Sequence, residues 1–170
     1  MSSANVSVPT GSGSRGAVSG SRQGREISTE SSAEVRTDHA LGYFVLRVGM
    51  GLAVMVHGMV RLSIYRQFID ATVKQFSGTF LPVESVKLLT YTLPFVEATV
   101  GFFVLIGLGT RYALFVGGLF MVPLLFGMNL LQQWAIVEIQ LVYVLLYFLL
   151  LVFREWNDYS VDALMRRNKR

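Results

Sequence analysis

The sequence predicts an all-α integral membrane protein: a four-helix bundle with a disordered N-terminal tail and an amphipathic helix between spans one and two. Of its 170 residues, 52% are hydrophobic and only 15% are charged, whereas about a quarter of the residues of a soluble domain are charged. Four apolar stretches of spanning length follow residue 40, and the segment before them is mostly small, polar or charged. This composition excludes an ordinary soluble enzyme, a coiled coil and a fully disordered chain.

Residues 1–38 form the predicted tail. They are rich in Ser and Gly, have no hydrophobic periodicity, and balance four arginines against four acidic residues. Such a segment buries too little apolar surface to offset the entropy lost on ordering. It also lacks the apolar core of a signal peptide, so we expect the first span to direct insertion. Residues 39–165 are the predicted transmembrane domain, and residues 166–170 are a basic C-terminal tail.

The four apolar stretches each have about 20 residues, the length with which a helix crosses about 30 Å of hydrocarbon. They are residues 41–60, 90–109, 112–131 and 134–153. Between the first two, residues 65–76 place apolar side chains at helical spacing and polar side chains on the other face. This pattern predicts an amphipathic helix that lies in the headgroup region or caps the bundle.

The basic residues predict the orientation and the partners. With four spans, the side that holds both termini carries ten Lys and Arg residues and the other side carries four. Because basic loops stay in the cytoplasm, we expect both termini to be cytoplasmic in a bacterial or archaeal inner membrane. The net charge of +4 then reflects basic ends that lie at an anionic membrane leaflet. The lipid bilayer, and not nucleic acid, is therefore the expected partner.

Short motifs occur in a specific order along residues 41–165. They are Leu46-Arg47 with Gly51, His57-Gly58 with Arg61, Glu97 with Gly101, Gly107 with Thr110-Arg111, and Tyr159-Ser160 with Asp162-Ala163. Their order and spacing resemble the DoxX family of four-helix membrane proteins, in which lysine is common at the position of Arg61. The family takes its name from a subunit of an archaeal thiosulfate:quinone oxidoreductase. The resemblance therefore implies the fold and a membrane location, and an accessory role in quinone-linked redox chemistry is the leading hypothesis for the function.

Ionisable groups at membrane depth are the candidate site residues, because each is costly there unless it is paired or hydrated. A rise of 1.5 Å per residue places His57 and Glu97 at a similar level in the outer half of the bilayer. We expect this pair to exchange protons. The alternative for His57 is a structural hydrogen bond between helices.

Polar residues from the other spans complete the predicted pocket. Asn129 and Gln140 fall in the same outer layer as Glu97, and Arg47 and Tyr147 lie deeper, at a depth where they could meet. These four residues are the candidate pocket lining. For Arg47, the alternative is a structural role in which the side chain extends to the inner surface.

The absence of cysteine from the sequence excludes thiolate metal sites, iron–sulfur clusters and a thiol nucleophile in this chain. No cofactor or metal site is evident, and a quinone is the expected ligand. Three functions stay open: a quinone-associated accessory subunit of a membrane redox complex, a structural or assembly subunit, and a small-solute or proton pathway. Whether the chain is itself an enzyme and whether it forms a homo-oligomer also stay open.

Overall fold

The computed structural model describes residues 16–168, and their side chains from residue 31 onward. The described chain is helical and contains no strand. The helices are α1 (Gly16–Ser63), α2 (Tyr65–Phe76), α3 (Val83–Ile106), α4 (Thr110–Leu130), α5 (Trp134–Val152) and α6 (Val161–Arg167), with a short 3₁₀ turn at Arg154–Trp156 before α6.

Four of the described helices are long and apolar enough to cross a membrane, namely Ser31–Ser63 within α1, and α3, α4 and α5. This confirms the four predicted spans. Helix α3 begins seven residues before the predicted span, directly after Pro82. Its first turns contain Glu84 and Lys87, which hydropathy assigns to the loop although the backbone there is already helical.

The predicted tail covers residues 1–38, of which residues 1–15 lie outside the described residues. The structure divides at this boundary into a unit that ends at Asp38 and a unit from His39 to Arg170. Residues 16–38 are helical, and all side chains of residues 31–39 are exposed. An exposed helical segment such as residues 31–39 is held mainly by its own backbone hydrogen bonds.

Helices α1 and α3 approach each other closely at three glycines. A methyl group added to Gly51 would overlap the backbone of Leu105, and one added to Gly58 would overlap the backbone of Ala98. On the facing helix, a methyl group on Gly101 would overlap the backbone of Met55. Small residues let two helix backbones approach each other closely, and this contact fixes the antiparallel register of α1 and α3.

Helix α2 caps one end of the bundle, as its amphipathic pattern predicts. Its apolar face buries Ile69 and Phe76. The Phe76 ring packs where Gly127 of α4 leaves space, since a Cβ on Gly127 would lie 3.0 Å from the ring. The Tyr65 hydroxyl donates a hydrogen bond of 3.1 Å to the carbonyl oxygen of Tyr91 in α3. Helix α2 is therefore attached to both α3 and α4, and we call this part of the bundle the α2 end.

The middle of the bundle is apolar. Its buried core consists of Tyr43, Met50, Val54, Val100, Val104, Leu114, Met121, Tyr147 and Leu150. At the opposite end from α2, helix α3 turns into α4, and α6 packs against that turn through a backbone hydrogen bond from Asp162 to Gly107. We call this part the α6 end, and the core separates it from the α2 end.

Candidate functional site

A cavity of about 640 Å³ lies at the α2 end. Its wall is mostly apolar and is built from α2, α3, α4 and α5, with Arg61 from the end of α1. The polar side chains in the wall are Arg61, Thr72, Gln75, Ser85, Thr90, Thr92 and Gln140. The volume is within the range of pockets that bind small molecules, about 300–1,000 Å³.

Residues that interrupt regular side-chain packing open this cavity. Pro123 and Gly127 of α4 both line it. Gly127 has no side chain, which lets the Phe76 ring of α2 pack against α4, and Pro123 lacks the N–H that would bond to the preceding turn of α4. Across the cavity, the Thr90 hydroxyl donates to the carbonyl oxygen of Val86 within α3. The cavity therefore exists because α4 is locally small and irregular where α2 covers it.

Arg61 and Glu97 form an ion pair beside the cavity. Nη1 of Arg61 donates to both carboxylate oxygens of Glu97. Glu97 is buried, with 6% of its surface exposed, and Arg61 lines the cavity wall. The Arg61 guanidinium also lies 5.3 Å from the centre of the Phe68 ring of α2. The pair thus connects α1 and α3 at the cavity and contacts the helix that covers it.

The glycine contact between α1 and α3 explains why these two residues meet. Gly58 lies against Ala98, and Glu97 directly precedes Ala98. Arg61 follows Gly58 by three residues, which returns its side chain to nearly the same face of α1. Once Gly58 is packed, Arg61 and Glu97 are adjacent. Because the predicted first span ends at residue 60, Arg61 falls in the loop after it and is not predicted as the partner of Glu97, although it lies on nearly the same face of α1 as Gly51 and Gly58.

His57, the expected partner of Glu97, has a different environment. It is exposed, and its Nδ1 lies 2.8 Å from the carbonyl oxygen of Ala53 in the same helix. Its ring contacts the edge of Tyr143 in α5, with 6.3 Å between the ring centres. The structure therefore gives Glu97 an arginine and not the histidine as its hydrogen-bonding partner. Proton exchange between His57 and Glu97 stays a prediction.

The four residues expected to line the pocket lie in different places. Gln140 lines the cavity. Asn129 donates a hydrogen bond of 2.8 Å to the carbonyl oxygen of Leu125 in its own helix. Tyr147 is buried in the core, where its ring packs directly against Gly117. Arg47 lies at the α6 end, so the predicted lining is not a single group.

Arg47 closes the C-terminal end of α3. Its Nη1 donates to the carbonyl oxygens of Val104 and Leu105, each at 2.7 Å, and its Nη2 donates to the carbonyl oxygen of Tyr159 at 2.8 Å. Only 1% of its surface is exposed. The last carbonyls of a helix lack partners within the helix and carry partial negative charge. Arg47 therefore neutralises the end of α3 and links it to the segment before α6, and its guanidinium is buried within the protein.

Asp162 has the corresponding role at the start of α4. Its carboxylate accepts backbone N–H bonds from Gly109 and Thr110, each at 2.8 Å. Burial raises the pKa of Asp162, but these backbone bonds, a bond from the Thr110 side chain and the charge of Arg166 outweigh it and hold the pKa below its ordinary value. The motif that begins at Gly107 and the motif that begins at Tyr159 thus meet at the α6 end and close it.

Comparison with known proteins agrees with this arrangement of motifs. The DoxX family model matches residues 42–130, which is slightly more than half of the chain. No curated protein matches the chain, and no solved structure matches it. The resemblance read from the motifs is thereby confirmed, and the chain belongs to the DoxX family.

Proposed function

We propose that the protein is a quinone-associated accessory subunit of a membrane redox complex, and that its cavity holds the quinone head group. The observation that carries this proposal is the cavity at the α2 end, with Arg61 and Gln140 in an otherwise mostly apolar wall. A quinone also combines a polar part with an apolar part, because its head accepts hydrogen bonds through two carbonyl oxygens and its isoprenoid tail is apolar.

The polar side chains of the cavity supply the donors that such a head needs. A guanidinium has five N–H donors, and Arg61 uses Nη1 for Glu97, so Nη2 and Nε are available to a carbonyl oxygen. The side-chain amide of Gln140 supplies a further donor. Leu88 and Phe126 also line the cavity and are more than half exposed, so a tail can leave the cavity along the side of the bundle.

The apolar core favours this function over a solute or proton pathway. A pathway would need polar groups between the two ends of the bundle. The described residues between Arg61 and Arg47 include Met50, Val54 and Val100, which are buried and apolar. The remaining alternative is a structural subunit, which the Arg61–Glu97 ion pair favours because such a pair fixes the register of two helices.

We further propose that both termini are cytoplasmic in the inner membrane. The excess of basic residues on the side of the termini supports this orientation. The cavity would then lie in the outer half of the bilayer. A cysteine introduced into the α2–α3 connection should react with an impermeant thiol reagent added to whole cells, because this orientation places the connection outside the cell. The labelling is specific, since the sequence contains no cysteine of its own.

Quinone binding can be tested through one tryptophan. Trp134 begins α5, two residues before the cavity-lining Ile136, and Trp156 lies at the other end of the bundle. In a Trp156→Phe background, a short-chain quinone should quench Trp134 fluorescence saturably. Gln140→Leu should weaken this binding about tenfold, the effect of one lost hydrogen bond of roughly 1.4 kcal/mol.

Gln67→Leu is the matched control, because it makes the same chemical change at an exposed position of α2. It should bind the quinone as the parent does. Two outcomes would contradict a quinone site in the cavity: quenching that never saturates, or an equal loss of quenching in Gln140→Leu and Gln67→Leu. Either would favour the structural role for the protein.

A further inference from the structure

We infer that Glu97 makes the cavity selective for uncharged ligands, because it is the counter-ion of Arg61. The inference rests on the proposed function in one respect, that the cavity holds a ligand. It adds the chemical class of that ligand: an amphiphile whose head is uncharged and accepts hydrogen bonds.

The charges around the cavity carry the inference. Among the described residues that line the cavity, Arg61 alone is charged. By itself, an arginine at the polar end of an apolar cavity would favour an anionic head such as a carboxylate or a phosphate. Here Glu97 already accepts two hydrogen bonds from that arginine and is buried. The polar end of the cavity therefore has a positively charged residue in its wall but no net charge.

An anionic head would disturb this balance. To bind Arg61 it would have to displace Glu97, which leaves a buried carboxylate without its partner, or it would have to lie close to a second negative charge. Both are unfavourable where the dielectric constant is low. A carbonyl oxygen has neither cost, because it can accept from Nη2 or Nε while the ion pair stays intact.

Replacing Glu97 by Gln should reverse this selectivity. The amide keeps the size of the carboxyl group and one acceptor oxygen, but it removes the negative charge. The charge of Arg61 is then uncompensated beside an apolar cavity, where it attracts an anionic head strongly. Binding of an uncharged head should change little, because its donors on Arg61 are the same in both proteins.

Two probes with one acyl chain separate head charge from chain length. Dibromostearate and its methyl ester carry the same brominated chain, which quenches tryptophan on contact. Each is titrated into the full chain in a Trp156→Phe background, in a mild nonionic detergent, at an alkaline pH that ionises the fatty acid. With Glu97 present, the ester should bind saturably and about tenfold or more tighter than the acid.

Two further proteins complete the comparison. Glu97→Gln should bind the acid about tenfold or more tighter than its parent and bind the ester as before. The matched control is Glu84→Gln, which removes a carboxylate from the same helix, where Glu84 is exposed and pairs with Lys87. It should leave both affinities unchanged. The double variant Arg61→Gln/Glu97→Gln should lose the gain for the acid, because the attracting charge is gone.

The outcomes separate this inference from the proposed function. If the parent binds acid and ester equally, Glu97 confers no selectivity and the inference is overturned, even if Glu97→Gln fails to fold. It is also overturned if Glu97→Gln folds and gains no affinity for the acid. If the selectivity holds while a short-chain quinone does not bind, the inference stands and the quinone proposal fails.

Discussion

The two ends of the bundle use an arginine of α1 in opposite ways. At the α6 end, Arg47 is fully buried and donates to three backbone carbonyl oxygens. At the α2 end, Arg61 lines a cavity and pairs with the side chain of Glu97. Both residues lie on one stripe of α1, with Gly51 and Gly58 between them, so position on the helix face does not distinguish them.

The acceptors make the difference. Backbone carbonyls are present whatever the side chain, and they have no protonation state that changes in the physiological range. A carboxylate can be replaced, titrated or offered to another partner. The end that is closed by backbone acceptors is therefore a structural joint, and the end that has a side-chain acceptor beside a cavity is the place for ligand chemistry.

The largest expected effect is at the α6 end. Arg47→Met should lower the free energy of unfolding by about 4 kcal/mol, because it leaves buried carbonyls of α3 without donors. These acceptors belong to the backbone, so no second substitution can remove them. The measurement is thermal unfolding in detergent, followed by circular dichroism.

The α2 end supplies the contrasting variant. Arg61→Met/Glu97→Leu removes both partners, and an ion pair replaced by apolar residues of similar size is often neutral for stability. We expect a change of less than about 1 kcal/mol, together with loss of quinone binding. If the double variant is as unstable as Arg47→Met, the two ends are both structural and the contrast between them fails.

A second, smaller effect concerns two glycines in the turn between α3 and α4. Gly107 and Gly109 both have positive φ, 70° and 57°. A Cβ on Gly107 would lie 2.5 Å from the Cβ of Ser160 and 2.8 Å from Nη1 of Arg47, whereas nothing lies within 4 Å of one on Gly109. Gly109→Ala should cost about 1 kcal/mol from backbone strain alone. Gly107→Ala should cost about 3 kcal/mol, because overlap with Ser160 and Arg47 adds to that strain.

The same unfolding measurement sharpens the comparison between the ends. Equal losses for Gly107→Ala and Gly109→Ala would mean that Ser160 and the Arg47 guanidinium both move at little cost. The α6 end would then be less rigid than its hydrogen bonds indicate, and its role as a joint would be in doubt.

The sequence predicts the fold well because the features that define it are local. Length and hydropathy locate the four spans, periodicity locates α2, and the spacing of Gly51 and Gly58 allows a neighbouring backbone to approach α1 closely. Helix boundaries are less accurate where polar residues continue a helix beyond the hydrocarbon, as Glu84 and Lys87 do in α3.

The site is harder to predict because it depends on rotation about the helix axis as well as depth. Depth alone puts His57 level with Glu97. Once Gly58 faces α3, the preceding residue is turned about 100° away, whereas Arg61 is only about 60° away. The role of Arg47 depends on Tyr159, more than a hundred positions later. No local pattern contains that contact, and only the order of the motifs indicates that the two segments belong together.

The smallest expected effect is a pH dependence at the α6 end. Because the pKa of Asp162 is lower in the folded protein than its ordinary value of 3.8, its contribution to stability is complete above that value and is lost as the pH falls through the folded pKa. Asp162→Asn should cost about 1 kcal/mol at neutral pH, as for a lost helix cap. The difference in unfolding temperature from the parent should shrink as the pH falls below about 4.

Glu155→Gln is the control for this titration, since it removes an exposed carboxylate from the same end of the bundle. A difference between parent and Asp162→Asn that stays constant down to the most acidic pH would mean that the carboxylate bonds to Gly109 and Thr110 do not stabilise the turn. The closure of the α6 end would then rest on Arg47 and on the backbone hydrogen bond from Asp162 to Gly107. The two ends of the bundle would still differ in what their arginine binds, backbone carbonyl oxygens at one end and a carboxylate at the other.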